Sequence, residues 1–318
     1  MYNIENYKKA IKLYFSSIFI YGLGLWVILY LPYYQNMLSV NTEKTICYIF
    51  LSYVILAPII YFFKITKYSE NKPHLFLQYL TNIFRKKKIR PTKEQKVAML
   101  FLIVKIYFLP MLINFFWGNF NHLKNMFSSN LAWYPIMFTL MFTVDTVIFS
   151  FGYAFEFKSM KNVVKSVEPT LFGWTVALIC YPPFNSIVGK YVPWGANDYV
   201  HFWSANWTIV MRVIVLLLLF IYMWATVALG PKSSNLTNRG IVSRFPYNII
   251  RHPAYVSKNL IWWLTLLPII NWKFALGMSF WTVIYYFRAM TEERHLSQDQ
   301  DYLKYKKKVK WKFIPKLI

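Results

Sequence analysis

NWTIVMRVIVLLLLFIYMWATVALG, residues 206–230, carries a single charged side chain, Arg212, in 25 positions. A hydrocarbon core about 30 Å thick needs roughly 20 helical residues, and this stretch supplies them. It therefore sets the solvent in which the chain folds. Working outward, further apolar runs occur at 13–33, 45–63, 97–117, 133–155, 171–188, 254–270 and 273–290. The whole composition agrees: of 318 residues 57% are hydrophobic and 21% aromatic, only 15% are charged, and mean hydropathy is positive. The expectation is an all-α, polytopic integral membrane protein of about eight transmembrane helices.

A formal net charge of +24 raises nucleic acid as a partner, so the placement of the positive residues decides between nucleic acid and lipid. Eight spans alternate the connecting segments between two sides. The N-terminus, the loop 64–96, the loop holding Lys158, Lys161 and Lys165, the loop 232–251 and the tail from Arg288 together carry 29 of the 36 Lys and Arg. The opposite segments carry four: Lys44, Lys124, Lys190 and Lys273. This positive-inside asymmetry predicts a multi-pass protein with both termini cytoplasmic, a lipid bilayer as partner and no nucleic acid. The first apolar run lacks a small-residue cleavage site and belongs to the alternation, so it reads as a retained helix. The sequence carries no signal of oligomeric state.

Several features punctuate this plan. Phe76, Leu77, Leu80, Ile83 and Phe84 recur at helical spacing ahead of Arg85, Lys86, Lys87 and Lys88, which suits an amphipathic helix on an anionic leaflet or a solvated basic loop. Pro110, Pro182, Pro183 and Pro268 remove backbone donors within or beside apolar runs, and CYPPF, Cys180 to Phe184, predicts a broken or short span at 171–188. Cys47 and Cys180 have no metal-ligand spacing and read as buried apolar thiols. Asp145, Lys105 and Arg212 lie within spans, where each needs a partner on another helix or a polar cavity. With no repeat or flexible linker, residues 1–230 and 231–318 are expected to form one structural unit, the first part shaping a substrate pocket.

The C-terminal part holds the chemistry. Residues 235–255 read as a cytoplasmic loop entering a helix, with a turn at Arg239 and Gly240 and with Pro253 in the first helical turn. A helix N-terminus suits an anion, and Arg251 and His252 would add charged donors. After Pro268 the chain reverses, and Arg288 and Glu292, four residues apart on one helix face, return to the membrane side of His252. A mere surface pair between Arg288 and Glu292 is the competing reading.

The combination resembles integral-membrane methyltransferases typified by isoprenylcysteine carboxyl methyltransferase, which include the phospholipid N-methyltransferases. The matching residues are Tyr247, Arg251, His252, Pro253 and Tyr255, then Arg288, Glu292, Glu293 and Leu296, then Tyr302, Tyr305, Val309 and Pro315. The resemblance covers about the last 85 residues. It implies S-adenosyl-L-methionine as cofactor, contacted by Arg239, Gly240, Ile241, Val242, Tyr247, His252, Pro253, Ala254, Tyr255 and Glu292. It further implies a lipophilic methyl acceptor contacted by Arg288. Methyl transfer from a sulfonium requires no metal: a carboxylate acceptor would be held in line by Arg288 with no general base, whereas an amine acceptor would need one, for which Glu292, Glu293 and His252 are the candidates. Arg288, Glu292 and Glu293 are thus the catalytic candidates, and the acceptor stays open. Phe245 and Ser257 depart from the glycines usual in the family. Two other readings remain open: an NADPH-dependent enzyme like the membrane sterol reductases, and a non-catalytic transporter or lipid-binding scaffold with Asp145, Lys105 and Arg212 along its path.

Overall fold

A computed structural model describes residues 4–63, 71–85, 90–127 and 133–317. The basic run Lys86–Lys88 lies outside the described residues, as do Lys64 and Lys67. The chain divides into two compact units, Met1–Trp117 and Gly118–Ile318.

In the first unit the helices are α1 (Ile4–Tyr30), α2 (Pro32–Met37), α3 (Val40–Phe63) and α4 (Lys72–Phe84), followed by α5 (Lys93–Phe127), which continues past Trp117. Polar side chains fasten α1 to its neighbours. Tyr14 donates to the Val54 carbonyl at 2.8 Å, and Ser16 Oγ lies 2.8 Å from His74 Nδ1. Asn71 caps α4 by accepting from His74 N at 2.9 Å and donates to Ser17 Oγ at 2.8 Å. The amphipathic pattern thus forms a helix, with Pro73 and His74 buried and Ile83 and Phe84 exposed. Lys105 lies 4.7 Å over the Tyr21 ring, a cation–π contact.

The second unit contains α6 (Trp133–Ala154), α7 (Leu171–Leu178), α8 (Phe184–Gly189), α9 (Ala205–Leu229), α10 (Pro253–Leu266), α11 (Trp272–Leu296) and α12 (Gln300–Lys308). Two short strands, β1 (Ser166–Val167) and β2 (Thr237–Asn238), pair antiparallel. Helices α6 and α9 run side by side in the same direction. At one end Tyr134 donates to the Asp198 carbonyl at 2.8 Å and Arg212 sits 4.9 Å over its ring. Farther along, Asp145 accepts from Thr226 at 2.6 Å and Tyr222 at 3.2 Å, so it finds hydroxyl partners on α9. At the far end a Cβ on Gly152 would collide with the Ser233 carbonyl.

Helix α10 returns along α9, burying Ile261 with Val215 and Leu219, and α11 folds back against α10. Trp263 donates to Thr282 at 3.0 Å across this hairpin, and Tyr285 meets Trp262 edge-on at 5.0 Å. The loop after α8 closes over the hairpin's turn so tightly that a Cβ on Gly277 would strike the Pro193 carbonyl.

Among the described residues five helices are long and apolar enough to cross a membrane: α1, α3, α5, α6 and α9. The run 171–188 is not one helix but α7 of 8 residues and α8 of 6, separated at Pro182 and Pro183, which cannot donate to a helical ladder. The run 254–270 holds α10, 14 residues long, and a 3-10 turn containing Pro268. The run 273–290 lies within α11, 25 residues long. Cys47 and Cys180 are free and half-buried.

Candidate functional site

The loop between α9 and α10 is anchored before it reaches the RHPAY string. Arg244 donates to the Ala228 carbonyl at 2.7 Å through Nη2 and at 2.9 Å through Nε, satisfying the end of α9. Arg239, 2% exposed, donates to Ser234 Oγ and to the Asn162 carbonyl, both at 2.9 Å. The next residue, Gly240, has φ +90°, where a side chain is strained. The β1–β2 pairing fixes residues 237 and 238 beside Val167 and Ser166.

Arg251 and His252 face inward to a buried carboxylate. Arg251 Nε donates to Glu293 Oε1 at 2.7 Å, and His252 Nε2 lies 3.2 Å from the same oxygen. Arg251 Nη1 reaches the carbonyls of Val309 and Lys310 at 2.8 and 2.6 Å, while the backbone N–H groups of Arg251 and His252 donate to Trp311 and Lys312. Lys306 and Lys312 approach the second Glu293 oxygen at 3.7 and 3.6 Å. Burial would raise the Glu293 carboxyl, yet hydrogen bonds from His252 and Arg251 outweigh it and hold the group at about 2. Glu293 is the hub of an ion cluster that ties the tail to α10. Tyr247 belongs to the same seam, packing on Tyr302, Tyr305 and Val309, and its carbonyl accepts from Tyr305 at 2.7 Å.

Glu292 points elsewhere. It is exposed and accepts from Tyr255 OH at 2.7 Å at the edge of a cavity of about 50 Å³. Arg288, 8% exposed, lines the same cavity. Its guanidinium donates to Asn235 Oδ1 and, at 3.3 Å, to Tyr181 OH, and lies 5.3 to 5.5 Å over the rings of Tyr255, Tyr181 and Tyr285. Among the described residues no carboxylate pairs with it, and Glu292 instead accepts from Tyr255, so the Arg288–Glu292 surface pair does not form. A buried guanidinium lacking a counter-ion is costly unless an anion joins it.

Asn235, Glu168 and His295 complete this cavity and were not singled out from the sequence. Asn235 Nδ2 and Glu168 Oε2 are buried with no hydrogen-bond partner among the described residues. Glu168 takes Arg294 at 2.6 Å through its other oxygen. His295 Nε2 sits 2.8 Å from Ser166 Oγ, and burial lowers its pKa against the pull of Glu168 and Glu292.

The residues expected around the cofactor therefore separate. Tyr255 and Glu292 line the small cavity, while Arg239, Gly240 and Ile241 line a different cleft of about 780 Å³. His252 stacks behind Tyr255, its ring 5.3 Å away and 11° from parallel, and buried Pro253 opens α10 ahead of half-buried Ala254. Val242 is half-buried in the loop beyond Ile241. Ser257 is accommodated by donating to the Pro253 carbonyl at 2.8 Å. Compared with family models and with curated proteins, the chain matches none.

Proposed function

We propose that this chain is a multi-pass membrane methyltransferase that uses S-adenosylmethionine and acts on a lipophilic acceptor bearing a carboxylate. The observation that carries the reading is Arg288: a guanidinium buried against three tyrosine rings that has, among the described residues, no acidic partner, beside Asn235 Nδ2, which has no hydrogen-bond partner among them either. The topology proposed with it has eight crossings, with both termini and this cavity on the cytoplasmic side, and is supported by the lysine and arginine asymmetry. Segment 171–188 then crosses as the broken α7–α8 pair and α10–α11 as a hairpin.

The cavity's chemistry fits the cofactor, and its volume constrains how. When bound, S-adenosylmethionine supplies an electrophilic methyl on a sulfonium. The Tyr255 face and the Glu292 carboxylate suit that cation, whereas the lysines of the larger cleft repel it. About 50 Å³ is well below the roughly 300–1,000 Å³ of ligand pockets, so the exposed Glu292–Tyr255 contact at its edge must part to admit the cofactor. Arg288 then holds the acceptor carboxylate in line, and the tyrosine cage excludes water. A carboxylate acceptor requires no general base, which leaves Glu293 to its ion cluster.

Calorimetry of the detergent-purified protein with S-adenosylhomocysteine tests the reading. Binding is expected, weakened by Glu292→Gln and retained in Arg288→Lys, while membrane extracts should gain a methylated acid only with the wild type. A folded sample that binds no S-adenosylhomocysteine would sink it. Binding of NADPH in place of S-adenosylhomocysteine would instead favour the reductase reading.

A further inference from the structure

The cleft of about 780 Å³ is ringed by Lys158, Lys161, Lys165, Lys232, Lys304 and Lys308, with Asp301 as its one acidic lining residue. Asp301 is shared between Lys165 at 3.9 Å and Lys304 at 4.0 Å, and Lys165 also pairs with Asp299 at 2.9 Å. Among the described residues no carboxylate pairs with Lys161, Lys232 or Lys308. Lys232 Nζ donates to the Ile241 carbonyl at 3.4 Å and lies 3.3 Å from where a Gly240 Cβ would stand.

The walls between these ammonium groups are Val163, Val164, Ile241 and Tyr305. The lysines also share one level of the fold. Lys158, Lys161 and Lys165 follow the end of α6, and Lys232 follows the end of α9, which runs parallel to it. If α6 and α9 span the bilayer, that level is where lipid phosphates lie. Like charges converging on one cleft repel one another, and a multiply charged anion relieves all of them together.

We infer that this cleft binds a phosphate-bearing anion, either a phosphomonoester lipid headgroup or a soluble phosphate. The inference uses the reading of α6 and α9 as spans and is independent of methyl transfer, so failure to bind S-adenosylhomocysteine leaves it standing.

The test uses the full chain in neutral detergent. Native mass spectrometry compares dioleoyl phosphatidic acid with dioleoyl phosphatidylcholine, and thermal shift with sodium pyrophosphate forms the soluble arm. Phosphatidic acid is expected to bind at least tenfold more tightly than phosphatidylcholine. The triple variant Lys161→Gln, Lys232→Gln, Lys308→Gln should abolish that preference, and the same triple to Arg should keep it. A control with equal charge loss, Lys307→Gln, Lys310→Gln, Lys316→Gln, should also keep it. Should the triple Gln variant fail to fold, Lys161→Gln and Lys308→Gln, both at exposed positions, are each expected to show a partial loss. A pyrophosphate shift that only the cleft variants lose, without lipid preference, upholds the phosphate site and assigns it to a soluble ligand. Equal loss in the control, or no response to either phosphate ligand, overturns the inference.

Discussion

Glu292 and Glu293 are adjacent and chemically identical, yet α11 turns them into opposite environments. Glu293 is 4% exposed and neutralises Arg251, while Glu292 is exposed and accepts from Tyr255. Removing one partner of a buried pair leaves the other charge uncompensated, at a cost of about 3–5 kcal/mol. Glu293→Gln should therefore lower thermal stability markedly in detergent, whereas Glu292→Gln should change it by no more than about 0.5 kcal/mol. A further prediction concerns acid. The Glu293 carboxyl sits at about 2 against an ordinary 4.5, so its stabilisation is complete above 4.5 and is lost as pH falls through 2. His295 also has a lowered pKa, so its neutral form stabilises the fold above 6.5, and that stabilisation is lost as pH falls further. Melting curves between about pH 7 and 5 should show a decline that His295→Gln removes. The RHPAY and Glu-Glu strings were legible as a cluster because ionisable groups there adjoin apolar runs. Which glutamate is buried was not, since burial depends on a tail that returns from Val309 and Lys310. Asn235 and Tyr181 escaped notice for a similar reason: they meet Arg288 across sequence separations of 53 and 107, with no periodic pattern to mark them.

At the level of elements, long helices were readable wherever apolar length exceeded the bilayer requirement, as for α6 and α9. Proline decided the exceptions, and the paired prolines that split 171–188 gave advance notice of its break. Unforeseen was the packing of the 191–197 loop on the α10–α11 hairpin, which depends on glycine. Gly277 meets the Pro193 carbonyl, and Trp194 adds edge contacts with Trp262 at 4.5 Å and Trp281 at 5.6 Å. Gly277→Ala should overpack this contact at a cost of about 1–3 kcal/mol. Thermal unfolding measures the loss, and a variant as stable as the wild type would show that the loop moves aside freely.

For the whole molecule, the proposed topology rests on charge placement. In a chain with Cys47→Ala and Cys180→Ala, cysteine placed at Lys161 should react with a membrane-impermeant maleimide only from the cytoplasmic side. Cysteine placed at Lys190 should react only from the opposite side. Labelling of both from one side would contradict the alternation that the lysines and arginines set out. The division at Trp117 and Gly118 was not legible, because no change of composition marks it within the continuous helix α5.

The bonds from Arg251 to Val309 and Lys310 also impose an order in time. A ribosome delivers the arginine 58 residues before the first of those carbonyls. Until the α10–α11 hairpin has formed and the following segment has come back across it, the guanidinium has neither Glu293 nor its carbonyl acceptors. Water or lipid headgroups must serve as its temporary partners. Maturation of this corner is therefore a late event, and a translocation intermediate arrested after α10 would expose Arg251 to solvent.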